Sequence, residues 1–301
     1  MADGIVNIYK EKGFTSHDVV AKMRGILKQK KIGHTGTLDP MAEGVLPVCL
    51  GKATKLCDML TDRTKTYEAV LLLGMETDTQ DTTGAVLSQS EVHVSEDQVR
   101  EAVLSFLGHY DKIPPMYSAL KVDGKKLYEL ARAGKEVERK ARPVEILEIR
   151  VDKIDLPRVT MTVSCSKGTY IRTLCYDIGR KLGCGGCMES LLRTRVSGFC
   201  LEDSLTLKQI EQLRDEGTLG NHILTVDEVF SGYPAVYMKP DFDKLVHNGN
   251  PFYFDQLQDK VSPDEELVRV YDSGQQFIGV YRPDKETKVF KPHKVFLGGR
   301  E

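Results

Sequence analysis

The spacing of apolar residues changes irregularly along this chain of 301 residues. Segments 15–28, 95–107 and 171–182 repeat apolar residues every three or four positions, which predicts helices, whereas 65–73 and 159–165 are β-prone and predict strands. A doubly wound sheet requires strands and helices to alternate regularly, and these segments do not. The sequence therefore predicts an α+β fold, with helices that flank a mixed sheet.

Two of these segments carry side chains that could bind a ligand or take part in a reaction. The strand at 65–73 ends in a Val-Leu-Leu-Leu run, which predicts a central strand buried on both faces, with Tyr67 near its start. The helix at 171–182 has Arg172 in its first turn and off the apolar stripe, where an arginine beside the positive helix end can hold an anion. The alternative for Arg172 is a surface arginine with no fixed partner.

The pattern changes again near residues 232–234. Short β-prone segments with turns follow, among them 267–271 and 276–281. The length of the chain also favours two domains over one. We therefore expect a first domain at 1–232 and a small β domain at 233–301.

Composition indicates a globular protein of the cytoplasm. Hydrophobic residues make up 41% of the chain, enough for a substantial core. The N-terminal segment lacks a signal-peptide pattern, and the apolar runs are too short to cross a bilayer. The seven cysteines are odd in number and scattered, which favours reduced thiols over disulfides.

The charge distribution points to an anionic partner although the net charge is only −2. Segment 21–31 has five basic residues and no acidic one, and segment 121–142 has eight basic residues against four acidic ones. Such runs are commonly solvated faces. Here the first run leads directly into an unusual glycine-rich loop, so contact with phosphates is the better interpretation.

That loop reads Gly-His-Thr-Gly-Thr-Leu-Asp-Pro at residues 33–40 and contains one carboxylate, Asp39. Pro40 disfavours the helical conformation for Asp39 and pushes it towards an extended one. Glycines on both sides permit turns and close approach of a ligand. Asp39 is therefore a candidate nucleophile, and the alternative is a turn aspartate.

Other classes of site fit the sequence less well. The end of a nucleotide-binding phosphate loop resembles Gly51-Lys52-Ala53-Thr54. That motif also needs a glycine five residues before Gly51, and the residue there is Leu46. No Gly-x-Ser-x-Gly elbow indicates a hydrolase. Cys184 and Cys187 form a CxxC pair with no second pair to complete a zinc site. We therefore expect no metal and no cofactor. A noncatalytic RNA-binding protein remains the second alternative, and for it Asp39 would be dispensable.

Several blocks of the chain together resemble the TruB family of tRNA pseudouridine synthases. They are Phe14 to Val20, Gly33 to Pro40, Lys65 to Tyr67, Pro114 to Arg132, Lys167 to Arg172 and Leu191 to Arg193. The segment from about residue 235 resembles the PUA module of these proteins, chiefly at 245–249 and 276–281. The chain departs from the family at Glu11, where a proline is usual after the lysine, and at Cys187, where a histidine is frequent.

The resemblance implies a mainly antiparallel curved sheet with flanking helices, followed by a small β-barrel-like PUA domain. It implies isomerisation of the uridine at position 55 of the tRNA T loop to pseudouridine, by a monomer that needs no protein partner. Its catalytic residues would be Asp39, Arg172 paired with it, and Tyr67 stacked on the base. Substrate would be bound by His34 as a wedge, by Leu191 closing the base pocket, and by Lys121 in an RNA-gripping insertion at 113–145.

Overall fold

The computed structural model describes residues 2–61, 64–122, 124–259, 262 and 264–297. It has one large sheet with helices packed on it and a second, smaller sheet near the C-terminus. The α+β prediction is confirmed. Within the described ranges, no helix is both long and apolar enough to cross a membrane.

The helices and strands follow one another without a regular repeat. The helices are α1 (Ser16–Leu27), α2 (Cys57–Thr61), α3 (Glu96–Leu104), α4 (Leu127–Arg132), α5 (Ile171–Lys181), α6 (Leu207–Asp215), α7 (Val226–Val229) and α8 (Asp243–His247). The strands up to residue 200 are β1 (Gly4–Lys10), β2 (Ile32–His34), β3 (Glu43–Leu50), β4 (Lys65–Leu73), β5 (Met75–Thr77), β6 (Val86–Gln89), β7 (Gly108–Lys112), β8 (Lys121–Val122), β9 (Lys125–Lys126), β10 (Arg142–Asp155), β11 (Arg158–Cys165), β12 (Gly186–Val196) and β13 (Phe199–Cys200). The later strands are β14 (Ala235–Tyr237), β15 (Phe252–Tyr253), β16 (Val268–Tyr271), β17 (Phe277–Asp284) and β18 (Val289–Val295).

The large sheet has the strand order β1-β3-β12-β4-β11-β10-β7, with β2 added to β3 and β13 to β12. Its pairs are antiparallel except for β12 and β3, which run parallel for a short stretch. The predicted mixed, mainly antiparallel sheet is confirmed. Its order brings the start of β3, the end of β12 and the start of β4 side by side, although they are far apart in sequence.

The helix starts are encoded locally. Thr15 caps α1 by accepting a hydrogen bond from the backbone of Asp18, and the Asp18 carboxylate accepts one from the Thr15 backbone at 2.8 Å. Ser95 and Gln98 form the same reciprocal box at α3. Such boxes satisfy backbone donors that the first helical turn leaves unpaired. Both predicted helices are therefore present, although α3 ends at Leu104, before Gly108 opens β7.

Strand β4 is central, but the prediction that both of its faces are buried is wrong. Tyr67, Ala69, Leu71 and Leu73 are buried, whereas the residues between them are partly buried and Glu68 is exposed. The sheet is mainly antiparallel, and such a sheet needs a packed layer on only one face. The Val-Leu-Leu-Leu run therefore spans a buried and a partly open face.

The small sheet near the C-terminus has the order β14-β16-β17-β18-β15 and its own apolar core. A further apolar cluster joins this region to the rest of the molecule. It contains Ile5, Cys49, Ala53, Leu56, Leu60, Val226, Phe230, Val280 and Phe296. Lys55 also donates a hydrogen bond to the Val295 carbonyl at 2.8 Å. The two regions therefore share buried apolar surface as well as a chain connection.

Candidate active site

Asp39 lies in the loop between β2 and β3, here called the Asp39 loop and comprising residues 35–42. The loop is anchored on both sides of the carboxylate. The Leu38 amide donates to the Ser16 hydroxyl at 2.9 Å, and the Pro40 carbonyl accepts from the Gly13 amide at 2.8 Å. The Leu38 side chain is buried, whereas the side chain of Asp39 is 37% exposed. The carboxylate is thus held in place but open to solvent.

Arg172 holds this carboxylate through two contacts. Its Nε lies 2.8 Å from Asp39 Oδ2, and its Nη2 donates to Asp39 Oδ1 at 3.2 Å. The same guanidinium donates to the carbonyls of Thr79 at 2.9 Å and Tyr117 at 3.0 Å. A planar guanidinium with several fixed donors orients a carboxylate more strictly than a lysine could. The Arg172–Asp39 pairing is present, and the alternative of an unpaired surface arginine is wrong.

The exposure of Arg172 differs from the sequence expectation. It lies off the apolar stripe of α5, as predicted, but its side chain is only 4% exposed. Loops that carry Thr79 and Tyr117 cover this side of the helix, and a spacing pattern does not report such loops. A buried cation is tolerated when a counterion and hydrogen bonds replace its water. Asp81, at 3.9 Å from Arg172 Nε, adds a second carboxylate nearby.

Tyr67 lies beside this pair in an apolar environment. It is buried on β4 and belongs to the same cluster as Leu38 and Leu191. Burial raises the pKa of Tyr67 to about 12. The phenol is therefore protonated at neutral pH. The structure brings Tyr67 and Leu191 together next to the Asp39 loop, as a base pocket would require.

His34 ends β2, immediately before the Asp39 loop. Its Nδ1 accepts a hydrogen bond from the Gly36 amide at 3.3 Å, and its ring packs edge-on against His17 with 5.4 Å between centroids. Burial is the main cause that lowers the pKa of His34, which favours the neutral ring. An uncharged aromatic ring next to the Asp39 loop suits contact with nucleobases.

Lys121 is not brought into this cluster. It is exposed on β8 and pairs with Lys126 of β9 in a small hairpin. Among the described residues it shares no hydrogen bond or ion pair with Asp39, Tyr67 or Arg172. The segment around it is nevertheless linked to the site, because Arg172 bonds the Tyr117 carbonyl.

Sequence reasoning assigned no role to Arg193 and Lys10, two buried cations that hydrogen-bond the backbone in or next to the Asp39 loop. Arg193 was part of a recognised block but had no role assigned. It is 1% exposed, and its Nε donates to the Val45 carbonyl at 2.7 Å. Lys10 is fully buried, and its Nζ donates to the carbonyls of Phe14 at 2.6 Å and Pro40 at 3.2 Å. The sequence did contain one indication that Arg193 lies near the site. It follows Leu191 by two residues on a strand, and residues two apart on a strand lie on the same face.

The close pairing of β12 and β3 depends on a glycine. Gly44 has a φ of +101°, and a Cβ at this position would lie 2.3 Å from the Arg193 carbonyl oxygen. Any side chain would therefore separate the two strands. Gly44 thus allows β12 to carry Arg193 beneath the Asp39 loop.

Among the residues that the structure describes, Cys184 and Cys187 belong to no group that could hold a metal ion. Burial raises the pKa of the Cys184 and Cys187 thiols, the latter to about 11. In the part of the chain that the structure describes, no three His, Cys, Asp or Glu side chains are arranged to hold an ion.

The fold and site define the class of protein. This chain is similar to a chain in the crystal structure of a Cbf5-Nop10-Gar1 complex, with a TM-score of 0.73 and 27% sequence identity. It is also similar to a chain in the structure of an H/ACA RNP bound to a substrate RNA containing 2′-deoxyuridine, with a TM-score of 0.71 and 25% identity. Each match covers 98% of this chain and 85% of the other chain. The class is that of the pseudouridine synthases.

Sequence comparison specifies the family within this class. The TruB family pseudouridylate synthase N-terminal domain matches residues 24–171, and the tRNA pseudouridylate synthase B C-terminal domain matches 172–231. Curated relatives named tRNA pseudouridine synthase B come from Lachnoclostridium phytofermentans, 53% identical over 98% of this chain and 100% of the relative, and from Alkaliphilus oremlandii, 49% identical over 96% and 97%. The chain belongs to the TruB family.

Proposed function

We propose that this enzyme converts a uridine of tRNA to pseudouridine, and that the target is the uridine at position 55 in the T loop. The observation that carries the proposal is the Asp39–Arg172 ion pair beside Tyr67 and Leu191. The names of the relatives support tRNA as the substrate class. The choice of the T-loop uridine rests on the sequence resemblance.

The reaction breaks the bond between N1 of uracil and C1′ of the ribose, turns the base, and bonds C5 to C1′. N1 gains a proton and C5 loses one, so no redox partner is required. Asp39 acts as the nucleophile, either on the sugar or on the base. Arg172 orients its carboxylate through two contacts, so that one side remains open to the substrate.

The pocket around the base is formed by Tyr67 and Leu191. Tyr67 stacks on uracil, and its phenol, protonated at neutral pH, donates or accepts protons during the rearrangement. Leu191 covers the other part of the base through apolar contact. Together they exclude water around the detached uracil, which would otherwise be free to diffuse away.

The RNA must present its uridine unstacked. Extrusion of a base costs a few kcal/mol, and His34 replaces part of the lost stacking. Phosphates are held by the basic residues of segments 21–31 and 121–142, including Lys121. We further propose that residues 1–232 form the catalytic domain, with the insertion at 113–145 gripping the T arm. Residues 233–301 form a PUA-like domain that contacts tRNA away from the base, and the enzyme acts as a monomer without a protein partner.

The direct test measures tritium released from C5-labelled uridine in a tRNA transcript, using the purified chain with a chelator and no nucleotide. Asp39→Asn should reduce release by at least about 10³-fold, because the amide is not a nucleophile. Asp58→Asn, at an exposed position on α2, should leave it unchanged. Release by the Asp39→Asn variant at the wild-type rate would remove Asp39 from its role. Release from a transcript with cytidine at position 55 would reject the T-loop target.

A further inference from the structure

Arg193 places a positive charge in the interior of the sheet. Its guanidinium is 1% exposed and donates to the Val45 carbonyl at 2.7 Å and to the Gly36 carbonyl at 3.4 Å. The Gly36 carbonyl lies within the Asp39 loop, and the Val45 carbonyl lies three residues after its end. Across the described ranges, Arg193 forms no ion pair with a carboxylate, unlike Arg172. A buried charge without a counterion costs several kcal/mol. Support of the loop alone would not require a charged side chain at this position.

The third neighbour of the guanidinium is Tyr67. Arg193 and Tyr67 are directly opposite each other on the paired strands β12 and β4, and both side chains are buried on the same face of the sheet. The side chains of directly opposite residues lie within contact distance. The positive charge of Arg193 acts on the Tyr67 hydroxyl across this strand pair.

The direction of a hydrogen bond between these two groups follows from chemistry. A guanidinium has five donors and no acceptor. In such a bond the Tyr67 oxygen accepts from Arg193, and the Tyr67 proton points elsewhere. Leu38 and Leu191, which belong to the same cluster as the ring, are apolar and cannot accept it. The proton is thus available to a substrate in the pocket.

We propose that Arg193 is a positioning residue that acts through Tyr67: it aims the phenol proton at the uracil and stabilises the phenolate when that proton leaves. The inference rests on the proposed function. In the step that it supports, the Tyr67 O–H bond breaks and the proton passes to N1 of the detached uracil anion. After C5 bonds to C1′, the phenolate takes the C5 proton. N1 gains one proton, C5 loses one, and the phenol is restored.

The electrostatics agree with this geometry. Burial raises the pKa of Tyr67 to about 12, and the Arg193 charge acts in the opposite direction. Replacing Arg193 with an uncharged residue should therefore raise the pKa of Tyr67 further. A residue that only braced the Asp39 loop would have no reason to act through the phenol.

A double-mutant cycle separates the two roles. Single-turnover rates of pseudouridine formation are measured for the wild type, Arg193→Gln, Tyr67→Phe and the double variant. Glutamine keeps a donor for the loop carbonyls but removes the charge. We expect Arg193→Gln to slow the step by about 10²-fold, and by less than about threefold when Tyr67 is already phenylalanine. Equal losses in both backgrounds would overturn the proposal. Arg195→Gln, on the exposed face of the same strand, is the matched control.

A readout independent of activity is the titration of Tyr67 in protein labelled with ¹³C at tyrosine Cζ, with the resonance assigned by its absence in Tyr67→Phe. The pKa of Tyr67 should be higher in Arg193→Gln than in the wild type, and an unchanged titration would overturn the proposal. If Arg193→Gln fails to fold by circular dichroism, Arg193→Lys takes its place in the cycle. The decrease in single-turnover rate caused by Arg193→Lys should likewise disappear when Tyr67 is already phenylalanine. A wild-type chain that forms no pseudouridine would reject the proposed function instead.

Discussion

Lys10 and Pro40 are joined by a hydrogen bond between a fully buried ammonium group and the carbonyl that follows Asp39. The Nζ···O distance is 3.2 Å, and the carbonyls of Phe14 and Glu11 complete the shell at 2.6 and 3.2 Å. Three backbone oxygens thus replace the water around this charge. The ammonium thus ties the turn after β1 to the Asp39 loop.

The titration of Lys10 should be visible in the stability of the protein. Burial lowers the pKa of Lys10 to about 8, whereas an unfolded lysine titrates near about 10.4. Between these values the unfolded chain binds more protons, so the contribution of Lys10 to the free energy of unfolding increases with pH. Relative to Lys10→Met, the wild type should therefore gain stability from pH 8 to pH 10.

Urea unfolding midpoints at several pH values measure this difference. Lys12→Met, at an exposed position in the same turn, should show no such trend. A constant difference between wild type and Lys10→Met across the range would show that Lys10 does not titrate as predicted.

Arg172→Lys should reduce turnover by about 10²-fold or more, although the charge is kept. Lysine cannot contact both Asp39 oxygens and the two carbonyls of Thr79 and Tyr117 at once. Single-turnover kinetics at saturating enzyme give the rate without a contribution from binding. Arg180→Lys, exposed on the same helix, is the matched control. Near-normal turnover of Arg172→Lys would mean that the fork geometry is unimportant.

Leu191→Ala should lower both stability and activity. Leu191 is 8% exposed in the cluster with Tyr67 and Leu38. Truncation of a buried leucine costs about 2–5 kcal/mol, and the base pocket would lose one of its apolar surfaces. Chemical denaturation and tritium release measure the two effects. Leu147→Ala, at a position 46% exposed, should change stability by less than about 0.5 kcal/mol. A stable Leu191→Ala variant with wild-type turnover would exclude Leu191 from the pocket.

Four lysines meet where the two regions of the chain join, and they should contribute to tRNA binding. The pKa of Lys55 is lowered first by burial and then by the charges of Lys31, Lys294 and Lys52. Like charges held together suit a phosphate backbone. Replacing Lys52, Lys55 and Lys294 with glutamine should weaken tRNA binding and reduce the dependence of log K on log salt by about 0.7–0.9 for each lost phosphate contact.

Point variants test this better than truncation. Deleting residues 235–301 would expose Leu56, Phe230 and the rest of the apolar cluster shared by both regions, so loss of binding would be confounded with loss of stability. Lys208→Gln, exposed on α6, serves as control. Unchanged affinity and salt dependence in the triple variant would exclude this surface from RNA contact.

The candidate site was only partly predictable. The Asp39–Arg172 pair and the neighbourhood of Tyr67 and Leu191 came from a resemblance, and the structure brings these residues together. Lys121 lies apart from them, on an exposed hairpin. The burial of Arg172 escaped prediction because loops around Thr79 and Tyr117, distant in sequence, cover it.

What the sequence by itself determined is local. Capping boxes at Thr15 and Ser95 define helix starts because their partners lie three residues away. For the same kind of reason, the position of Pro40 predicts an extended conformation for Asp39. Only the tertiary structure decided where the buried cations lie. Arg193 reaches Val45 and Gly36 across about 150 residues of chain, and Lys10 reaches Pro40 across 30. Their charges are stabilised by carbonyls that come together only after the sheet has formed, and a spacing pattern carries no information about such contacts.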